Sequence, residues 1–190
     1  KLIDQKPLHQ FKKFVLRNSG GDFNKVHFRD CWIHQMTFDA GLNVDINGCD
    51  PAVVYLNGEY WGIQNIREKV DKYYCRFNGG YDEDVTYTLL EEDTIVLEGN
   101  RVEFNEMLQF FMDMDLADPD FFAQAESMLD VESMSDYIIV ETFWNNTDWP
   151  ANNQKYWKPN IDGGKWRFVL FDTDVSLNSV GYVTEETNNL

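Results

Sequence analysis

Basic residues are scarce in this chain of 190 residues: 16 Lys and Arg stand against 33 Asp and Glu, a formal net charge of −17. A field of that sign repels nucleic acid and anionic membrane, so both are excluded as partners. A basic protein partner or bound divalent cations fit it, and plain solubility also accounts for it. Histidine and cysteine are few. His9, His27 and His34 form no H-E-x-x-H, and Cys31, Cys49 and Cys75 form no C-x-x-C pair, so a zinc site is not expected. An odd count argues against a complete disulfide framework, while one bridge stays open. No apolar run approaches the roughly 20 residues that span a bilayer, so no membrane span is expected. The chain starts at Lys1 with no signal-peptide pattern, which reads as a processed or excised chain and leaves the compartment open.

What the chain has is apolar and aromatic. Hydrophobic residues make up 43% and aromatics 15%, enough at this length for one domain or for two small lobes sharing a cleft. Residues 11–16 read as a strand that ends in the turn Asn18-Ser19-Gly20-Gly21. Asp22 or Asn24 is expected to cap a helix through about Phe38, with Gly41 as its stop; Arg29 and Asp30 sit mid-helix, read as a surface pair or, second, with one of them reaching an adjacent cleft. Asn57-Gly58 between apolar runs at 53–56 and 60–66 predicts a β-hairpin. Glu68, Lys69 and Asp71 then open a helix that stops at Gly79-Gly80. Strands are expected at 85–90 and 94–97.

The next third reads as helical. Phe104, Met107, Leu108, Phe111 and Met112 form one apolar stripe, and Asp118-Pro119 caps a second helix with Phe121, Ala125 and Met128 on its face. A third, starting near Ser133 or Ser135 and running to Trp144, is apolar nearly all round and so is expected to be buried and central. Strands at 154–158 and 166–171 form a hairpin, and 183–190 is a polar tail expected to fray. The pattern predicts an α+β fold in a single domain, 1–190, with a β-rich part (1–98) and a helical part (99–182).

One stretch carries candidate chemistry. Asp148 and Asn153 stand in a D-x-x-x-x-N spacing after the third helix, and Asp172 and Asp174 follow the hairpin at the end of an apolar strand. Loop, hairpin, metal-binding Asp is the order of a protein-kinase active site: the first Asp faces the attacking hydroxyl, the Asn turns to a metal, and the later Asp holds that metal through hard oxygens. The spacing alone is equally that of a helix-ending loop whose Asn and Asp side chains cap backbone groups.

The ordered motifs add to this. Arg17-Asn18-Ser19-Gly20-Gly21-Asp22, Phe28-Arg29-Asp30, Tyr55-Leu56-Asn57-Gly58-Glu59-Tyr60-Trp61-Gly62 and Arg67-Glu68-Lys69-Val70-Asp71 come first. Asn146-Thr147-Asp148-Trp149-Pro150 with Asn152-Asn153, and Lys165-Trp166-Arg167 leading to Phe171-Asp172-Thr173-Asp174, follow. From about Arg17 to Leu177 the chain resembles the CotH kinase family, named for a spore-coat protein and rich in secreted and surface-attached members. The resemblance implies an atypical protein kinase-like core that binds ATP with Mg²⁺ or Mn²⁺ and phosphorylates Ser or Thr of a secreted or surface protein; the acidic chain suits a basic, Ser/Thr-rich substrate. It assigns Asp148 as the catalytic Asp, Asn153 with Asp172 or Asp174 to the metal, and Arg67, Glu68 or Lys69 to the nucleotide. Family members carry an upstream β-rich segment and a downstream helical region, so the phosphate-covering loop and an ATP-binding Lys are expected outside this chain. Val175-Ser176-Leu177 stands where well-known kinases continue Phe-Gly. The alternatives are a pseudokinase or Ca²⁺-stabilised binding module of a cell-surface protein and, more distantly, a glycosidase pairing Glu68 with Asp148.

Overall fold

A computed structural model of the chain describes residues 3, 4, 6, 11–115 and 117–177; the polar tail at 183–190 lies outside them. The fold is α+β, as the pattern predicts. A short strand β1 (Phe14–Arg17) leads through a turn into helix α1 (Arg29–Asp39). Strands β2 (Cys49–Leu56) and β3 (Glu59–Glu68) form the expected hairpin, and its Asn57-Gly58 turn has φ of 51° and 86°. Two consecutive left-handed residues match the strand twist, which is why Asn-Gly stands there. β1 adds to the other edge of β3, making a three-stranded antiparallel sheet in the order β1-β3-β2.

Helix α2 (Lys72–Gly79) follows, then strands β4 (Tyr87–Glu91) and β5 (Ile95–Glu98). Helices α3 (Val102–Met112), α4 (Phe121–Met128) and α5 (Val131–Phe143) come next, and strands β6 (Lys155–Pro159) and β7 (Arg167–Val169) close the described chain. The second sheet has the order β5-β4-β6-β7, so it joins strands from before and after residue 98. Its central strands alternate. Leu89 and Trp157 pack with Tyr74 and Cys75 of α2 on one face, while Leu90 and Tyr156 pack with Phe104, Met107 and Leu129 on the other. A third cluster, Ile33, Val44, Ile46, Tyr137, Val140 and Leu170, packs α5 and α1 behind the strand end that carries Asp172.

Several local expectations need correction. β3 runs on through Glu68, so Glu68 ends a strand and does not open a helix; α2 is capped by Asp71, whose carboxylate accepts from the N–H of Tyr73 at 2.8 Å and of Tyr74 at 3.3 Å. α1 starts seven residues beyond Asp22, because His27 between them adopts a positive φ of 69° that a right-handed helix cannot hold, and the chain loops first. Arg29 and Asp30 therefore fall in the first turn, and both are buried. They are no surface pair. α5 begins at Val131 behind the cap Asp130 and is one-sided: Tyr137, Val140 and Glu141 are buried, but Ile139 and Phe143 face solvent.

Candidate active site

The 17–22 stretch latches onto the end of the β6–β7 hairpin. Gly21 N–H donates to Asp174 Oδ2 at 2.7 Å, and a Cβ on Gly20 would overlap the same oxygen. Gly20 also has φ +51°, so close approach and backbone both require glycine there. Arg17 reaches the same carboxylates: its Nη2 donates to Asp172 Oδ1 and, at 3.0 Å, to Asp174 Oδ2. Asp22 accepts from the backbone N–H of Val26 and Arg29, and Arg29 donates to Ser176 O at 2.9 Å.

Beneath this lies Asp30. Its carboxylate accepts from Arg67 Nη1 and from both the N–H and the hydroxyl of Thr173, at 2.9 and 3.0 Å. Arg17 Nη1 stands 3.8 Å from it. His34 Nδ1 accepts from Asn47 N–H, which leaves the proton on Nε2, 3.3 Å from Asp30. Burial would push the Asp30 carboxyl up, but Arg67, His34 and Arg17 outweigh it and hold it well below the ordinary range. Thr173 is thus pinned on its backbone, and Asp172 before it is held at φ 57°.

The 145–153 loop meets this segment from the other side. Asn146 is fully buried; its amide donates to Glu141 Oε2 at 2.8 Å, and its side-chain oxygen lies 3.4 Å from the Asp148 N–H it accepts. Thr147 donates to Val175 O. Asn153, at φ 61°, donates to Asp172 O at 3.2 Å and to Asp148 Oδ2 at 3.4 Å. Asp148 itself is exposed. Four predicted site residues therefore meet in one place: Asp148, Asn153, Asp172 and Asp174. Burial, and next to it Asp172, push the Asp174 carboxyl up to about 6 against the opposing pull of Gly21 N–H and Arg17.

Arg67, Glu68 and Lys69 stand on a cavity of about 400 Å³ between the two sheets, with Arg17, Lys155 and Phe171 among its other walls. Their charges are used differently. The Arg67 guanidinium turns inward to Asp30. Glu68 accepts from Lys6 at 2.7 Å, Gly48 N–H at 2.8 Å and Asn78 at 3.2 Å, which leaves it poorly placed as an acid or base. Lys69 is exposed. Lys155 is buried, pairs with Glu91 at 2.9 Å and sits 3.5 Å from the centre of the Phe171 ring. Burial lowers its pKa against the pull of Glu91. A second lysine thus lines the cleft beside Lys69.

Arg17, Asp30, Thr173 and Lys155 are the residues that spacing alone missed. The available signal was the fixed order of the 17–22 and 28–30 motifs ahead of a distant Asp-Thr-Asp. Cys31 and Cys49 are bridged, with Cα atoms 5.6 Å apart, which staples α1 to the start of β2; Cys75 is free and buried.

The family model described as CotH kinase protein matches residues 1–189. No curated protein matches the chain.

Proposed function

The chain belongs to the CotH kinase family, and from that premise we propose that it transfers the terminal phosphoryl group of ATP to Ser or Thr of a secreted or surface protein, with Mg²⁺ or Mn²⁺ as cofactor. One observation carries the reading. Asp148, Asn153 and the Asp172-Asp174 pair, on either side of the β6–β7 hairpin, lie together beside a cavity lined by Arg17, Arg67, Lys69 and Lys155.

In this reading the substrate hydroxyl lies against Asp148, which is exposed and positioned by Asn153 and Asn146. The hydroxyl oxygen forms the new P–O bond as the bridge to ADP breaks, and its proton passes to Asp148. Positive side chains of the cavity orient the phosphates. The donor set suits a hard divalent cation: Asp172 and Asp174 offer carboxylate oxygens and Asn153 an amide oxygen. Such a cation, when bound, neutralises charge on the phosphates. Mg²⁺ needs only one or two carboxylates besides phosphate oxygens and water, whereas Ca²⁺ takes about six to eight oxygen ligands. Among the described residues no group of three or more His, Cys, Asp or Glu is gathered for a metal.

The Cys31–Cys49 bridge supports an oxidising, extracytoplasmic setting. No described helix is long and apolar enough to cross a membrane. A charge of −17 favours a basic, Ser/Thr-rich substrate.

The test is transfer of labelled phosphate from ATP to a basic Ser-rich protein, with Mg²⁺ or Mn²⁺, by the whole protein and its Asp148→Ala variant. Transfer by the wild type that disappears in a folded variant is expected. No transfer, together with no ATP-dependent rise in melting temperature, would overturn the reading in favour of a non-catalytic module.

A further inference from the structure

Arg17 holds an unusual position. Its guanidinium bridges Asp172 and Asp174, stands 3.8 Å from Asp30, and also forms part of the wall of the 400 Å³ cavity. It lies at the end of β1, an edge strand whose Phe14, Val15 and Leu16 are exposed. A guanidinium is a permanent cation, so Arg17 keeps its charge here.

A guanidinium and a divalent cation beside one pair of carboxylates oppose each other, and Arg17 Nη2 already donates to Asp172 Oδ1 and Asp174 Oδ2. They would compete for the same oxygen lone pairs, and at contact distance their charges repel strongly. The backbone tightens this competition: Gly21 N–H already occupies Asp174 Oδ2, and the Gly20 backbone closes the space beside Arg17 Nη2, where a Cβ would come to 3.1 Å. A metal at Asp172 and Asp174 therefore weakens the hold of these carboxylates on the guanidinium. On the cavity side lies the place where the proposed function puts a nucleotide's phosphates, and a planar guanidinium binds phosphate oxygens two at a time.

We propose that Arg17 is a polyphosphate-binding residue of the cavity, which exchanges Asp172 and Asp174 for phosphate when a divalent cation takes those carboxylates. The inference rests on the proposed nucleotide site. It goes beyond it by giving the 17–22 stretch a direct role in binding. Metal and nucleotide then favour each other, because each supplies the partner the other displaces.

The experiment is calorimetry on the whole protein with Mn²⁺ alone and with Mn²⁺ plus ATP, comparing wild type, Arg17→Gln and Arg17→Lys. Arg17→Gln is expected to bind Mn²⁺ alone about tenfold tighter and Mn²⁺ with ATP about tenfold weaker, each the loss of one charge-assisted partner. Arg17→Lys keeps the charge but not the fork, so it should bind Mn²⁺ like the wild type and Mn²⁺ with ATP more weakly. It also carries the test if Arg17→Gln does not fold. Mn²⁺–ATP affinity unchanged or raised in both variants would overturn the proposal and leave Arg17 a simple counter-ion. Wild-type protein that binds neither Mn²⁺ nor Mn²⁺ with ATP would overturn this proposal and the nucleotide reading together.

Discussion

Asp30, in the first turn of α1, accepts two hydrogen bonds from Thr173, 143 residues further along, through the N–H at 2.9 Å and the hydroxyl at 3.0 Å. The same carboxylate receives Arg67 from β3. One buried acid thus ties the three-stranded sheet, α1 and the segment bearing Asp172 and Asp174 into a single unit. Removing it strands a buried guanidinium. Asp30→Ala is expected to lose about 3–5 kcal/mol of stability in a denaturant titration, and Asp30→Asn less, because the amide oxygen still accepts from Thr173. A loss below about 1 kcal/mol for the alanine variant would show that Arg67 finds another partner.

Glu141 is fully buried, and burial pushes its carboxyl up to about 8 against the pull of the Asn146 amide. Because the folded value lies above the unfolded one, the native state binds more protons across that window. Stability is therefore fullest below about pH 4.5 on this account and declines as pH rises through 8, with a slope of up to about 1.4 kcal/mol per pH unit. Glu141→Gln keeps a group that can accept from Asn146 and cannot ionise. Its melting temperature should vary less between pH 5 and 8 than that of the wild type; parallel curves would contradict the assignment.

Two glycines separate backbone strain from crowding. Gly20 and Gly58 both have positive φ, but a Cβ at Gly58 meets nothing within 4 Å, while one at Gly20 overlaps Asp174. Gly58→Ala should cost about 1 kcal/mol, and Gly20→Ala roughly 2–3 kcal/mol. Gly20→Ala alone should also weaken binding of Mn²⁺, read by calorimetry.

The Cys31–Cys49 bridge spans 18 positions of sequence and joins α1 to β2. Reduction, or Cys31→Ser with Cys49→Ser, should lower stability by about 2–4 kcal/mol. Buried Cys75 should stay unreactive towards a thiol reagent until the protein unfolds.

Local chemistry was legible in the residues themselves. Asn57-Gly58 specifies a hairpin because both positions must adopt positive φ, and the 104–112 stripe specifies a helix because its apolar residues recur at the helical period. Asp148 with Asn153, and Asp172 with Asp174, could be singled out because a metal or a proton needs oxygen ligands at short spacing. Helix starts were less legible. Asp22 looks like the cap of α1, yet His27 turns the chain first, and Asp22 serves instead to accept from Val26, Arg29 and the Arg29 side chain.

Sequence by itself determined the α+β class, the hairpins and the acidic charge, since each depends on residue type and on neighbours a few positions away. Only the tertiary structure decided which charges meet. Arg17 reaches Asp172 and Asp174 across more than 150 positions, Asp30 holds Thr173, Lys6 takes Glu68, and Lys155 enters the cleft beside Phe171. No local pattern encodes such pairs, because they form only when separate strands and helices pack their faces together and each buried charge must find a partner within reach.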